Sequence, residues 1–294
     1  MLFFDPILSG NKDVACATCH HPEFGFADGL DLSIGVNGEG FGSKRSFRPE
    51  NTIPIVKRNS LTIINTAFNG IENSKQYNPH SAPMFWDNRA LSLENQSLEP
   101  IKSLEEMRGH EISKQAILDT VVRRINKIQA YNQMFKLVFP EEKEIRASLI
   151  AKAIATYERT ITASNSRFDQ YMRGDKQALS SIELDGLKAF LKAGCAKCHN
   201  GPMLSDYKLH VLGMAENEKL KEADRGAHNA FAFRTPTLRN LNLTFPYMHN
   251  GKAKSLTNVL EFYEDLSGKQ LHNPLLKEGQ LDPLLKDLKV EFKD

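Results

Sequence analysis

The sequence has 294 residues, 40% hydrophobic and 25% charged, with a formal net charge of +2 at pH 7. That length holds two domains of ordinary size, and the composition is normal for a globular protein. The near-neutral charge implies no nucleic-acid or polyanion surface, and no apolar run is long enough to span a bilayer.

In chain order, the opening Met1-Leu2-Phe3-Phe4-Asp5 has no basic n-region, so it does not read as a secretory signal. Cys16-Ala17-Thr18-Cys19-His20 follows. Residues 31–60 read as loop, with Gly35, Gly38, Gly40 and Gly42 among Ser, Arg and Pro, and residues 69–85 as a second polar loop. Ile117, Val121, Ile125, Ile128 and Phe135 recur at helical spacing across 114–138, and Ile145, Leu149, Ile154 and Tyr157 across 141–161, predicting two helices. Polar Ala163-Ser164-Asn165-Ser166 marks the natural boundary between a domain at 1–163 and one at 164–294. Ser180-x-x-Glu183 is a capping box opening a helix that runs into Cys195-Ala196-Lys197-Cys198-His199. A last helix is expected over about 256–265. The chain therefore reads as all-α, helices joined by long loops, with a weak internal repeat of one Cys-x-x-Cys-His per half that fits two cytochrome-c-like domains.

The two pentapeptides use all four cysteines. Cysteines three apart lie on one face of a helical turn and can both bond one macrocycle. The next residue, His, can then be the proximal iron ligand, as in covalent c-type haem. A zinc site would need two nearby Cys pairs, whereas these lie near opposite ends. A redox dithiol expects a βαβ pattern that is missing. The reading is two covalently bound haem c groups, on His20 and His199. Because such attachment happens outside the bacterial cytoplasm, the sequence reads as a mature core of a periplasmic protein whose export signal lies elsewhere.

Further motifs carry a family resemblance: Leu2-Phe3-Phe4-Asp5-Pro6 with Leu8-Ser9-Gly10, Phe85-Trp86-Asp87-Asn88-Arg89-Ala90, Gln96, Glu106-Met107, and Thr235-Pro236-Thr237-Leu238-Arg239-Asn240 leading to Pro246-Tyr247-x-His249-x-Gly251. Over nearly its whole length the chain resembles the bacterial di-haem cytochrome c peroxidases and their relative MauG.

The resemblance implies an all-α pair of domains with a peroxidatic haem on His20 and an electron-transfer haem on His199. It implies Glu106 as acid–base group, Gln96 and Pro100 as its neighbours, and Trp86 as the bridge between haems. Peroxide cleavage needs a group that moves a proton from the inner to the outer oxygen, which a carboxyl of raised pKa does well. The loop position where many relatives carry a capping His is Val36 here, implying an open iron; His80 is a conceivable substitute. Tyr263 falls at the sixth-ligand position of the second haem, where peroxidases usually have Met and MauG has Tyr; Met203, Met214 and Met248 are rivals. Asn59, Thr244 and Pro246 match a calcium site, and Arg239 and Arg89 match haem-propionate partners.

Three functions compete. The first is a peroxidase that reduces hydrogen peroxide with electrons from a small cytochrome c or cupredoxin, relayed from the second haem to the first. The second is a MauG-like enzyme that uses peroxide to oxidise aromatic residues of a partner protein. The third is a non-catalytic electron carrier. A homodimer is a common family state.

Overall fold

The computed structural model describes residues 1–71 and 77–291; residues 72–76 of the expected polar loop, and 292–294, lie outside the described residues. Its helices are α1 (Cys16–Cys19), α2 (Leu93–Lys102), α3 (Ile117–Asn126), α4 (Gln129–Val138), α5 (Ala147–Thr160), α6 (Arg167–Met172), α7 (Ser181–Lys192) and α8 (Leu256–Ser267). Long loops join them. The loops also form two short antiparallel ladders: β1 (Gly38–Glu39) with β2 (Ser46–Phe47), and β3 (Leu209–His210) with β4 (Phe233–Arg234). Strands of two residues leave no alternating pattern for sequence to show.

Both buried apolar clusters lie in the first half, among the described residues. Ile117, Val121 and Ile125 of α3 meet Tyr131 and Phe135 of α4 and Leu149, Ile150 and Ile154 of α5, with Phe3, Leu8 and Ile101 filling between. Each such side chain contributes roughly 2 kcal/mol by leaving water. The apolar periodicity across 114–138 runs through a break. Ile128 is extended, with φ −100° and ψ 112°. Asn126 turns its amide outward, donating to the Val122 and Ile145 carbonyls at 2.9 and 2.8 Å and accepting from the Ile145 N–H at 3.1 Å. A side-chain amide that satisfies remote backbone makes a corner where periodicity alone predicts one helix.

The second half is built differently. The capping box forms: the Ser180 N–H donates to Glu183 at 2.8 Å and the Glu183 N–H to the Ser180 hydroxyl at 3.4 Å. Yet α7, which it starts, buries none of its residues. Phe190 of α7 instead joins Leu212, Val259, Leu260, Leu284 and Leu288 on the wall of a large cavity. The loop at 163–166 is stitched back to the first half, where the Asn65 amide donates to the Ala163 carbonyl and accepts from its N–H, each at 2.8 Å.

Candidate active site: one cavity joins both cysteine motifs

Cys16, Cys19 and His20 line the same cavity as Cys195, Cys198 and His199, a space of about 740 Å³. Both motifs close alike. The His20 N–H donates to the Cys16 carbonyl at 3.0 Å and the His199 N–H to the Cys195 carbonyl at 2.9 Å. This single turn brings the paired cysteines to one face. Each imidazole is then fixed through Nδ1, that of His20 against the Phe26 carbonyl at 3.2 Å and that of His199 against the Leu204 carbonyl at 3.0 Å. A ring held at Nδ1 offers Nε2 to a metal, the usual arrangement of a ligating histidine. Burial lowers the pKa of both rings, favouring the neutral, ligating form. The donor set and the mostly apolar cavity fit one covalent haem at each motif.

Glu106, Gln96 and Pro100 line the same cavity. Pro100 sits inside α2 and offers no N–H to the Gln96 carbonyl one turn back. Three residues on, the helix gives way at Ser103 to a π-helical turn, Leu104–Arg108, which carries Glu106. The Arg108 guanidinium pins this wide turn through the carbonyls of Lys102, Gly109 and Ile112 at 2.9–3.0 Å. Gly10 and Gly35 press on it: a Cβ on Gly10 would fall 1.8 Å from the Arg108 carbonyl oxygen, and one on Gly35 2.2 Å from that of Glu106. Burial pushes the Glu106 carboxyl up to about 7, against the pull of Arg89.

Trp86 is buried on the cavity wall, its indole Nε1–H donating to the Asn59 carbonyl at 2.9 Å. Tyr263 of α8 also lines the cavity, and burial raises its phenol well above the usual range. Met214 and Met248 line it too, whereas Met203 is buried with its carbonyl accepting from the Thr237 hydroxyl at 2.6 Å. Val36 packs in the first-half core, and His80 is exposed on its loop. Among the described residues, the cavity's histidines are His20, His199, His210 and His249. Asn59, Thr244 and Pro246, the expected calcium ligands, share this wall, and the Asn59 amide donates to the Leu30 carbonyl at 2.8 Å.

Arg239, expected as a propionate partner, is held by its own chain. Its guanidinium grips Asp169 with two bonds of 2.8 and 3.1 Å and donates to the Pro202 carbonyl at 2.7 Å. This forked donor ties α6 to the 235–240 loop. Arg89 does line the cavity, lying 3.6 Å over the Phe85 ring.

Several polar residues of the site carry no sequence motif. Arg58 pairs with Asp224 at 2.5 Å and Asp87 at 2.7 Å, joining the two halves beside the cavity. His210 stands between Asp206 at 3.1 Å and Asp282 at 2.6 Å, and Asp206, with Asp282 adding, holds its pKa above the usual imidazole range. Glu158 of α5 lines the cavity with Oε2 buried and unpartnered, and burial pushes its carboxyl up to about 8. These partners lie 72 to 166 residues apart in the long-range pairs, which no local spacing reveals.

Residues 1–177 match the family described as di-haem cytochrome c peroxidase. The chain belongs to that family. Its members include peroxide-acting oxidoreductases, and the family implies haem c cofactors. The chain is 33% identical over 267 residues to the methylamine utilization protein MauG of Methylorubrum extorquens, covering 89% of this chain and 66% of that protein. It is 32% identical to cytochrome c551 peroxidase of Nitrosomonas europaea, covering 89% of this chain and 70% of that one. A solved MauG-like protein associated with microbial copper homeostasis superposes with a TM-score of 0.72 at 25% identity, covering 98% of this chain and 87% of its own. Among the described residues, no helix is long and apolar enough to cross a membrane.

Proposed function

We propose that this chain is a periplasmic di-haem enzyme that reduces hydrogen peroxide at the His20 site, drawing electrons through the His199 site from a small cytochrome c or cupredoxin. The observation that carries this reading is Glu106 on a cavity wall shared with both Cys-x-x-Cys-His motifs, its carboxyl raised to about 7. Haem bound at each motif supplies redox-active iron. Near neutral pH Glu106 is present in both protonation states, so it can accept a proton from one peroxide oxygen and return it to the other. Gln96 offers an amide on the same wall to orient the peroxide, and the Pro100 ring gives that wall an apolar edge. Trp86, fixed through its N–H on the same wall, would be the aromatic relay between the two haems. Asn59, Thr244 and Pro246 would hold a calcium ion with hard oxygen ligands.

A second reading has one specific support. Tyr263 stands on the cavity wall and Val36 is buried away from it, a pairing that suits a MauG-like enzyme oxidising aromatic residues of a partner protein. Peroxide consumption by the holoenzyme, with and without a reduced cytochrome c or cupredoxin, tests the choice. Turnover that needs the donor supports the peroxidase. Peroxide-dependent oxidation of a protein partner without a donor supports the second reading. No reaction with peroxide leaves only the electron carrier.

A further inference from the structure

Arg234 of β4 is buried, 6% exposed, and lines the cavity. It ties the second half of the chain to the Phe85–Trp86 peptide of the first. Its backbone N–H donates to the Trp86 carbonyl at 2.6 Å, and its Nε–H to the Phe85 carbonyl at 2.7 Å. The guanidinium lies 5.5 Å from the centre of the Tyr207 ring. Among the described residues no carboxylate pairs with it. Asp87, the acidic group that acts on it from nearby, is already held by Arg58 at 2.7 Å and Arg89 at 2.9 Å. The N–H groups on Nη1 and Nη2 meet no acceptor among the described residues, and protein does not seal these two atoms off from the cavity.

A guanidinium taken out of water with no anion beside it is among the costliest burials a protein makes. Burial lowers the Arg234 pKa only to about 10, so the group is a cation at neutral pH. What fills this cavity must therefore bring it negative charge, and a fork of N–H groups fits a carboxylate. Hydrogen peroxide is neutral, and an electron-donor protein is too large to enter. On the di-haem reading, which this inference rests on, the haem propionates are the carboxylates that enter. The geometry points to Arg234 as a haem-binding residue: Nη1 and Nη2 grip a haem propionate, while Nε and the backbone N–H hold the peptide that carries Trp86.

The test uses the purified holoenzyme and two variants. Arg234→Gln removes the charge and the fork; Arg234→Lys keeps the charge. Losing a cation beside a propionate leaves the carboxylate less compensated, which favours the ferric state. Spectroelectrochemistry is expected to show Arg234→Gln raising the oxidised-to-reduced ratio of at least one haem by roughly threefold to tenfold at fixed potential. Arg234→Lys should return the ratio toward wild type. A distant charge could also move a potential, so resonance Raman reads the contact itself: the propionate bending modes should shift in Arg234→Gln. Unchanged modes or unchanged potentials in Arg234→Gln overturn the proposal, as does an equal potential shift in both variants. Should the variants fail to fold, a crystal structure of the wild-type holoenzyme decides. Nη1 or Nη2 within hydrogen-bond distance of a propionate oxygen supports the assignment, and both nitrogens on water or protein acceptors alone overturn it. A haem count below two per chain would instead refute the di-haem reading, a separate result.

Discussion

Gly35 lies so close under Glu106 that a methyl group on its Cα would sit 2.2 Å from the Glu106 carbonyl oxygen. The loop thus sets the height of the π turn, and with it the carboxyl. Gly35→Ala is expected to destabilise the fold by about 1–3 kcal/mol through overpacking. It should also slow peroxide turnover by at least about tenfold through misplacement of the acid–base group. Thermal unfolding and peroxide consumption at equal haem content measure both. Wild-type turnover in this variant would show that the turn tolerates displacement.

Glu106 itself is raised to about 7 by burial, so its protonated fraction falls as pH rises through that value. Turnover should therefore inflect near neutrality. Glu106→Gln should remove the inflection and lower the rate by roughly 10²–10⁴-fold. A pH–rate profile of the two proteins, taken with the same donor, checks this. An unchanged profile would assign the inflection to another group.

Tyr263, Met214 and Met248 share the cavity wall. An anionic phenolate ligand favours ferric iron, whereas a thioether raises the potential. Tyr263→Met is expected to raise the midpoint potential of one haem and change its absorption spectrum. Wild-type potentials and spectra in that variant would move the assignment to one of the two methionines.

Asp169 is held well below the usual carboxylate range, first by its bonds to Arg239. A depressed folded-state pKa gives stability that is present above the unfolded value near 4 and lost as pH falls below it. Asp169→Asn is expected to cost about 1–3 kcal/mol at neutral pH and to flatten the acid limb. Unfolding midpoints from about pH 7 down to about pH 3 measure the slope.

Glu158 shows the opposite sign. Burial raises it to about 8, so the folded chain holds this proton more tightly than the unfolded one. Its contribution is full below the ordinary carboxylate value and declines as pH climbs through about 8. Glu158→Gln, neutral and nearly isosteric, should lose that decline. Urea midpoints between about pH 5 and pH 9 test it, and parallel curves for the two proteins would place the proton elsewhere.

Local rules made part of this molecule legible. The Ser180 capping box and the apolar faces of α3 and α5 are short-range signals, and the chain forms them. Asn126 broke the long helix because its amide found Ile145, a partner that periodicity does not register. The cysteine motifs carry their own geometry, since i,i+3 spacing and one backbone bond suffice. Arg239 shows the opposite limit: a forked cation suits any carboxylate, and its bonds to Asp169, brought near by folding, carry no local signal. His249 and Glu158 stand out only once burial strips them of water and leaves a polar atom unpaired.

The cavity is continuous from Cys16 to Cys198, with Asn59 and Trp86 of the first half and Met248 and His249 of the second on its wall. A phenotype therefore cannot be assigned to one redox centre by the half of the chain in which a substitution falls. Each variant has to be read at both centres, and pairs of variants placed far apart in sequence should show non-additive effects wherever they face this shared space.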